Sequence, residues 1–380
     1  MKRKINLPAI LAAICFIVAL AFVLGHKIQW AGPALISAFV FLGWSFQSYS
    51  SLKGYTYTAM IFACVITALY YPQYLVQWGN FKLAVLIPFL IQIIMFGMGT
   101  SMSFNDFVGV IKMPKGVFIG VTSHFIIMPL LGFTLASLSG LPAEIAAGMI
   151  LLGCSPNGMA SNVISYLAKA NLALSITITA ISTLLAPFLT PLLMKLLAHS
   201  FIEIDVLHMM WDISKMVIIP VAAGLLFNYF FSGKVTWLDK AMPLVSMIAI
   251  AFSIVVIIAA GRDSLLTIGP LLLGLLLVHN LLGYFLGYWF ARIFKMSERD
   301  CRTVAIEVGM QNAGLASGIA KEMGKLATIG LAPAVFGSMM NITGSVLASW
   351  WHKRPPEDPK KAEDKEEKLQ KGKSSSLAAV

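Results

Sequence analysis

The amino-acid sequence predicts an all-α polytopic membrane protein, and three observations carry this prediction. Of the 380 residues, 58% are hydrophobic and only 12% are charged, which is about half the charged share of a soluble protein. The apolar residues lie in long runs, and the length allows about ten to twelve membrane-spanning helices of about 20 residues. Two of the runs are interrupted by glycine and carboxamide residues, one of them also by proline, a pattern typical of transporters.

We interpret twelve apolar segments, joined by short connections, as transmembrane helices. They lie at about 6–25, 32–50, 55–75, 82–101, 116–138, 144–168, 171–197, 211–231, 241–260, 266–294, 301–323 and 328–351. The first segment follows Met1-Lys-Arg-Lys4, as the apolar run of a signal peptide also would. Because no convincing small-residue cleavage site precedes His26 and a second apolar run follows, a retained first helix is favoured.

The charged residues between the segments predict the orientation of the chain. With a cytoplasmic N-terminus, most Lys and Arg residues fall at cytoplasmic ends, in agreement with the positive-inside rule. They are Lys2, Arg3, Lys4, Lys53, Lys112, Lys115, Lys169, Lys234, Lys240, Arg292, Lys295, Arg299, Arg302, Lys353 and Arg354, whereas the opposite side receives Lys27, Lys82, Lys195, Lys215, Arg262, Lys321 and Lys325. The net charge of +11 therefore reflects orientation in a cell inner (plasma) membrane, with both termini cytoplasmic, rather than nucleic-acid binding.

The stretch 353–380 differs from the rest of the chain. It contains Pro355-Pro356, then mixed Lys, Glu and Asp, and then Ser374 to Ser376. Such a composition cannot bury an apolar core, so we expect a disordered, charged cytoplasmic tail. The cysteines are scattered without metal or disulfide spacing, which indicates small apolar residues. They are Cys15, Cys64, Cys154 and Cys301.

Two segments contain breaks that a regular helix does not tolerate. Segment 144–168 contains Gly153-Cys-Ser-Pro-Asn-Gly-Met-Ala-Ser-Asn162, and segment 301–323 contains Ala305-Ile-Glu-Val-Gly-Met-Gln-Asn-Ala-Gly-Leu-Ala-Ser317. Proline removes a backbone donor, and glycine weakens a helix. A single break of this kind would be explained by an ordinary kinked membrane helix. Two breaks rich in Asn and Ser, in matching positions, predict a transporter binding site.

The two breaks lie five segments apart, and this spacing predicts an internal repeat. Segments three to seven and eight to twelve form two units of five, and an odd number of spans inserts the two units in opposite orientations. We therefore predict a ten-helix inverted repeat (5+5), with 53–200 as its first half and 201–352 as its second. Residues 1–52 form two additional N-terminal helices.

Glu307 is a carboxylate in the middle of an apolar segment, close to Gln311 and Asn312. A charged side chain in such surroundings is costly and usually faces a polar cavity and a partner. We expect the three side chains to lie at a helix break near the bilayer midplane and to bind a cation or a solute. The alternative is a surface helix end or a connecting loop.

Several motifs, taken together in their order and spacing, resemble those of a known family. They are Phe96-Gly-Met-Gly99, Gly153-Cys-Ser-Pro156 with Ala160-Ser-Asn-Val163, Tyr166-Leu-Ala168 with Asn171-Leu-Ala-Leu-Ser175, Ser182-Thr-Leu184 with Pro187 and Thr190-Pro191, Ile306-Glu-Val-Gly-Met-Gln-Asn312, and Asn341-Ile-Thr-Gly-Ser345. Over about residues 55 to 352 the chain resembles the bile acid:sodium symporter family, particularly its bacterial members. The resemblance implies a panel domain and a core domain, with two discontinuous helices that cross in the core.

The function implied by this resemblance is secondary active transport, a sodium-coupled symport of an organic anion by alternating access. The implied substrates are bile acid-like molecules or small carboxylates such as pantoate or a 2-oxo acid. Sodium is then the coupling ion, and no further cofactor, metal or enzymatic activity is expected. The partners are the anion, sodium and the lipid bilayer, and the oligomeric state is left open.

The resemblance also implies two sodium sites and a substrate site, residue by residue. Sodium site 1 falls on Ser161, Asn162, Ser175, Thr179 and Glu307; sodium site 2 on His124, Glu307, Val308, Met310 and Gln311; the substrate site on Asn157, Gly158, Met159, Asn312 and Asn341. Oxygen ligands suit a hard alkali cation, and Ser175 and Thr179, four residues apart, share one helix face. Without the family context, both hydroxyls would be expected to bond back to their own helix.

This chain departs from the family pattern at two places. Where bacterial members often have Pro-Gly-Gly-Thr, it has Pro156-Asn-Gly-Met159, which removes a hydroxyl from the substrate site. Where the family commonly has glutamine it has His124, and imidazole nitrogen is a poor ligand for a hard cation. We expect a weak or missing second sodium site with a proton partly in its place. The alternative is a neutral histidine bonded to a backbone carbonyl, with sodium still bound.

Other functions remain as alternatives to symport. An efflux carrier of the related arsenite or auxin type is one, because Cys154 lies near the first break, and a proton-coupled carrier is another. His279-Asn280 is interpreted as a packed polar pair between helices rather than a proton relay. The paired breaks disfavour a channel, and the sequence shows no nucleophile–base pair, metal-ligand cluster or phosphate-binding loop that would indicate an enzyme.

Overall fold

The computed structural model describes residues 6–49, 55–231 and 235–356. Its helices are α1 (Leu7–Leu24), α2 (Ile28–Gln47), α3 (Thr56–Tyr70), α4 (Gln73–Val76), α5 (Leu86–Thr100), α6 (Phe104–Lys112), α7 (Pro114–Leu138), α8 (Ala143–Cys154), α9 (Ala160–Leu167), α10 (Leu172–Ala198), α11 (Val206–Phe231), α12 (Thr236–Ala260), α13 (Arg262–Ile293), α14 (Glu298–Gly309), α15 (Ala313–Glu322) and α16 (Leu331–His352). Strands β1 (Gln77–Trp78) and β2 (Phe81–Lys82) form a hairpin, and a 3-10 turn covers Leu83–Val85. The charges predicted at Lys2, Arg3, Lys4, Lys53 and Lys234, and residues 357–380 of the predicted tail, lie outside the described residues.

The described part of the chain is an all-α polytopic membrane protein, as predicted. Eight of its helices are long and apolar enough to cross a bilayer, among them α1, α7 and α13. Shorter apolar helices, including α3 and α8, accompany them. Each predicted apolar segment coincides with one long helix, except that segment 55–75 also includes most of α4 and that the two interrupted segments each form a pair of shorter helices.

Several helices begin before the apolar run that predicts them. Helix α11 begins at Val206 instead of 211, and its first three turns contain His208, Asp212 and Lys215. There the Asp212 carboxylate lies 3.0 Å from Nδ1 of His208 and 2.9 Å from Nζ of Lys215. Pairs at this spacing stabilise a helix, so the helix extends beyond the stretch that hydropathy detects. In contrast, α3 ends at Tyr70, because Pro72 disfavours helical backbone in the residue before it.

The apolar pattern does not predict three short elements, which are α4, the hairpin and α6. In the hairpin Gln77 pairs with Lys82 and Trp78 with Phe81, and Gly79 in the turn has a φ of +56° that glycine adopts without strain. A capping box between Ser103 and Asp106 begins α6. These elements depend on local turn and cap chemistry rather than on hydropathy.

The helices pack in two groups around the interrupted helices. Helices α3, α5, α11 and α12 contact one another, and α2 packs on α3 with α1 beside it. Helices α7, α8, α10, α13, α14 and α16 form the second group. In the first group α5 and α11 approach so closely that a Cβ on Gly224 would lie 2.2 Å from the carbonyl oxygen of Phe96. Small residues permit such backbone contact between membrane helices.

Candidate functional site

The two helix breaks contact each other at one point, which we call the crossing, between 155–159 and 310–312. Asn157 and Gln311 form an isolated antiparallel β-bridge there. The backbone N–H of Asn312 donates to the carbonyl oxygen of Pro156 at 2.7 Å. A Cβ on Gly158 would lie 3.1 Å from the Gln311 carbonyl oxygen, a distance that favours glycine. The unwound backbone of each helix therefore satisfies part of the other's hydrogen bonding, as burial requires.

The free carbonyl groups at the ends of the broken helices are capped by side chains of neighbouring helices. Thr190 Oγ1 donates to the carbonyl of Cys154 at 2.7 Å. Asn280 Nδ2 donates to the carbonyl of Gly309 at 2.8 Å, and Asn280 Oδ1 accepts from Thr343 at 2.6 Å. The neighbouring His279 contacts the carbonyl oxygen of Met128 through Nε2 at 3.0 Å. His279 and Asn280 thus bond to separate backbone carbonyls between helices, which agrees with the predicted packed polar pair.

The carboxylate of Glu307 lies at the centre of a polar cluster on the crossing. The residue is 0% exposed. Its Oε1 accepts from Ser175 Oγ, and its Oε2 accepts from Thr179 Oγ1 at 2.9 Å and from Asn157 Nδ2. These donors are neutral, so they stabilise the carboxylate without cancelling its charge. A monovalent cation is the group whose charge would do so.

The structure brings all five residues predicted for sodium site 1 together. Asn162 Oδ1 lies 2.8 Å from Ser175 Oγ and 3.3 Å from Thr179 Oγ1. Ser161 Oγ lies 3.4 Å from Thr179 Oγ1, and the carboxylate of Glu307 joins the same hydroxyls. Hydroxyl, carboxamide and carboxylate oxygens of this kind form a donor set that fits a hard cation.

Sequence reasoning placed Asn157 in the substrate site and did not assign Ser165 or Ser182 to any site. In the structure Asn157 is fully buried; besides its bond to Glu307, its Oδ1 accepts from Ser182 Oγ. Ser165 Oγ lies 3.1 Å from Ser175 Oγ. The sequence spacing could have predicted both residues for the cluster. Ser165 follows Ser161 by four residues and Ser182 follows Thr179 by three, which places each pair on one helix face.

The residues predicted for sodium site 2 also lie at the crossing, but several already bond to one another. His124 contacts the Glu307 carbonyl oxygen through Nδ1 at 3.1 Å and the Ser155 carbonyl oxygen through Nε2 at 2.9 Å. Gln311 Nε2 donates to the Val308 carbonyl at 2.8 Å. Gln311 Oε1 is buried and has no hydrogen-bond partner among the described residues. Met310, the fifth residue of the set, is buried beside them.

The residues predicted for substrate binding fall in two places. Asn157, Gly158, Met159 and Asn312 lie at the crossing, where Asn312 Oδ1 also caps α15 by accepting from the Leu315 N–H at 3.0 Å. Asn341 lies on α16 and donates through Nδ2 to the Gly337 carbonyl at 2.9 Å. It lines a narrow crevice with Tyr57, Thr58 and Ser338.

A wider cavity of about 270 Å³ lies between α11 and α15; it is lined by Glu203, Asp205, Asp212 and Glu322, among others.

Interrupted helices that meet at a buried carboxylate, within a polytopic helical protein, define a membrane transporter. The model of the sodium bile acid symporter family matches residues 88–268. Taken with the relatives described next, this match shows that the chain belongs to the sodium bile acid symporter family. It is accordingly a transporter of a sodium-dependent family and not an enzyme.

Relatives of this chain occur in bacteria, plants and animals. An uncharacterized sodium-dependent transporter of Bacillus subtilis, YocS, is 41% identical over 269 residues, which cover 70% of this chain and 83% of the relative. The probable sodium/metabolite cotransporter BASS1 of Arabidopsis thaliana chloroplasts is 36% identical over 265 residues, covering 70% of this chain and 66% of that protein. The ileal sodium/bile acid cotransporter of Oryctolagus cuniculus is 32% identical over 246 residues, which cover 62% of this chain and 69% of that protein.

Proposed function

We propose that this protein is a secondary active symporter that couples sodium entry to the uptake of a small organic anion. The observation that carries the proposal is the fully buried Glu307 carboxylate at the crossing, surrounded by hydroxyl and carboxamide groups. A carboxylate in that position retains its attraction for a cation, because its partners are neutral. The names of the relatives, which describe sodium-dependent transporters and cotransporters, support the same conclusion.

Sodium binds, in this proposal, to the oxygens of Ser161, Asn162, Ser175, Thr179 and Glu307. These oxygens come from α9, α10 and α14, so an ion bound among them holds three helices together. The ion also removes the electrostatic cost of the buried charge, which is several kcal/mol for an unpaired carboxylate. Binding of sodium would therefore order the crossing before the anion binds, and this order of events couples the two solutes.

The architecture that we propose has twelve membrane-spanning helices, with the ten from α3 to α16 forming the inverted repeat of 53–200 and 201–352. Helices α3, α5, α11 and α12 are the panel, and the helices around the crossing are the core. The contacts of α5 with α11 and of α12 with α5 and α3 support this division, and α10 of the core also packs on α11 of the panel. Residues 1–52 contribute α1 and α2, which attach to the panel through α3. Both termini lie in the cytoplasm, and the membrane is the cell inner membrane.

The anion binds, in this proposal, between panel and core. Asn312 lies at the second break, and Asn341 lines the crevice beside Tyr57 and Thr58. Carboxamide N–H groups and the N-terminus of α15 favour a carboxylate. Gly158 and Met159 form the other side of the break. Because Met159 supplies a thioether and no hydroxyl, we expect fewer hydrogen bonds to the substrate, which favours bile acid-like anions or monocarboxylates with an apolar part.

Uptake into proteoliposomes tests the proposal. Purified protein is reconstituted and given a panel of labelled carboxylates, including pantoate, 2-oxo acids and taurocholate, with an inward sodium gradient or with equal potassium. We expect sodium to stimulate uptake of at least one of them. Glu307→Gln should reduce this uptake to the level of protein-free liposomes, because it removes the charge that attracts the ion.

Asp263→Asn is the matched control, since it also removes one carboxylate, at an exposed position whose side chain is 95% accessible. It should transport like the wild type. Normal sodium-driven uptake by Glu307→Gln would contradict the proposal. A proton-coupled carrier would instead respond to a pH gradient in the absence of sodium, in the same liposomes.

An arsenite efflux carrier is the second candidate, and Cys154 is the observation that favours it. The thiol lies on the last residue of α8, directly before the first break. It is fully buried, so a soft oxyanion would have to displace packed neighbours to reach it. Arsenite efflux from cells expressing the protein, compared with Cys154→Ala, tests this candidate directly.

A further inference from the structure

The imidazole of His124 lies between the backbones of the two broken helices. One ring nitrogen faces the carbonyl oxygen of Glu307 at 3.1 Å, and the other faces the carbonyl oxygen of Ser155 at 2.9 Å. His124 is fully buried on α7, and its ring packs edge-on against Phe125 with centroids 5.1 Å apart. A neutral imidazole has one N–H, so the ring donates a hydrogen bond to one of these carbonyl oxygens and packs against the other. In this way it forms a bridge from α7 to both breaks.

This bridge lies against the Glu307 carbonyl oxygen, and His124 and Glu307 both belong to the set predicted for sodium site 2. An ion bound by the Glu307 carbonyl would have to share this oxygen with a ring nitrogen of His124, which lies 3.1 Å from it. Whichever ring nitrogen carries the hydrogen, the volume of the ring fills the space between the two carbonyl oxygens. The side chain also offers nitrogen, which is a poor ligand for a hard cation.

The remaining oxygens of the second set do not complete a coordination shell. The Val308 carbonyl accepts from Gln311 Nε2 at 2.8 Å. That leaves Gln311 Oε1, which has no partner among the described residues, and the carbonyl of Met310. With the shared Glu307 carbonyl they make three oxygens, whereas the first set offers six, two of them from the carboxylate. The residues present therefore do not fit a second sodium ion as the first set fits one.

The charge of the crossing gives an independent argument in the same direction. Glu307 is the one carboxylate that the described structure places among these residues, and its partners are neutral. Before the organic anion binds, one sodium ion neutralises the carboxylate, whereas two would leave a net positive charge in a fully buried place. A buried charge without a partner costs several kcal/mol, and the first site, which has the carboxylate, retains the ion.

We propose that the crossing holds a single sodium ion, at the Glu307 cluster, and that His124 takes the place of a second ion as a permanent structural bridge. This inference rests on the proposed function and specifies its stoichiometry. Transport would then move one sodium ion per substrate, and uptake of a monovalent anion would carry no net charge across the membrane.

Equilibrium binding of radioactive ²²Na⁺ to the purified full-length protein in detergent tests the inference, because it needs no knowledge of the anion. We expect saturable binding of one ion per wild-type chain, with a Hill coefficient of about one. His124→Gln, which supplies an oxygen and frees one of the two carbonyl groups, should bind two ions with a Hill coefficient between one and two. Glu307→Gln should bind none.

His279→Gln is the matched control, because His279 is also fully buried and bonded to a backbone carbonyl, that of Met128, which is outside the crossing residues 155–159 and 310–312. It should bind one ion, as the wild type does. Two ions per wild-type chain would overturn the inference whether or not His124→Gln folds, and so would a folded His124→Gln that still binds one. Absence of saturable binding in the wild type would contradict the proposed function instead, so the two failures are distinguishable.

Discussion

At the scale of single residues, the site depends on how the charge of Glu307 is held. Full burial of an unpaired carboxylate costs several kcal/mol, and hydrogen bonds to a charged group recover about 1.5–3 kcal/mol each. Ser175, Thr179 and Asn157 supply such bonds. A lysine would neutralise the carboxylate permanently, whereas neutral donors leave it available to an ion that enters and leaves. Reversible binding is what a transport cycle requires.

Asn157 is the residue at which this argument makes a new prediction. Its carboxamide lies between Glu307 and Ser182, and a half-turn of the amide would direct Oδ1 to a bound ion while Nδ2 donates to Ser182. We expect Asn157→Ala to raise the half-saturating sodium concentration about tenfold, equivalent to ~1.4 kcal/mol, the lower range for a bond to a charged group. Sodium-dependent uptake measured over a range of sodium concentrations gives this value.

Substrate affinity separates this role from the one that the sequence indicated. At saturating sodium, Asn157→Ala should have the wild-type KM for the anion, while Asn341→Ala, which alters the crevice, should raise it. An unchanged sodium dependence together with a raised KM for Asn157→Ala would place the residue in the substrate site, and our assignment to the ion would then be wrong.

At the scale of helices, the breaks persist because other helices satisfy their free backbone groups. Asn280 of α13 is the clearest case, since it donates to the carbonyl of Gly309 at the end of α14 and is itself fixed by Thr343. We expect Asn280→Ala to lower the free energy of unfolding by about 2 kcal/mol, because a buried acceptor would lose its donor. The midpoint of thermal denaturation in detergent should fall accordingly.

Asn228→Ala is the control for this prediction. Asn228 also donates from Nδ2 to a backbone carbonyl, that of Met102 at 2.8 Å, but it is only half-buried. Water or lipid headgroups can replace part of a lost hydrogen bond of this kind. The midpoint of thermal denaturation should therefore change less in Asn228→Ala than in Asn280→Ala. Equal losses in both variants would show that the cap on Gly309 has no special role.

The sequence predicts these elements unequally, for physical reasons. Hydropathy locates the helices because lipid and core both select apolar residues, and Pro156 and Gly309 mark the breaks because they interrupt regular backbone. Glu307 is predictable as a site residue since a charge in an apolar run needs a partner. Asn157 is predicted for the substrate site, but its contacts with Glu307 and Ser182 are not predictable, because they join residues far apart in the chain and depend on how the two breaks cross. Helix α6 and the hairpin are too short to be recognised as elements from hydropathy.

At the scale of the whole molecule, the proposed alternating access requires the proposed core to move against the proposed panel. In this structure the two groups meet where α10 packs on α11, where α16 packs on α12 and α3, and where α15 packs on α5 and α11. Close to the last of these contacts lies the cavity of about 270 Å³ between α11 and α15. Its lining holds four carboxylates and one lysine, so acidic groups predominate, and such a surface attracts cations.

Gly318 of α15 lies at the contact between the proposed core and panel, and it provides a test of their movement. A Cβ on Gly318 would lie 2.4 Å from Cδ1 of Ile91 on α5 and 3.2 Å from Sδ of Met216 on α11. A larger residue would therefore hold the two groups apart in the state described here, and each transport cycle would have to pass through this altered contact. The Glu307 cluster lies within the core, so ion binding itself should not depend on Gly318.

We expect Gly318→Val to lower the maximal uptake rate about tenfold, corresponding to ~1.4 kcal/mol in the barrier of the slow step, while ²²Na⁺ binding stays at the wild-type level. Gly274→Val on α13 is the control, because a Cβ there meets no atom within 4 Å, and it should transport normally. Loss of ion binding in Gly318→Val would mean that the substitution disturbs the core itself. A wild-type rate in that variant would mean that core and panel do not separate along this contact, and the proposed division of the helices would have to be redrawn.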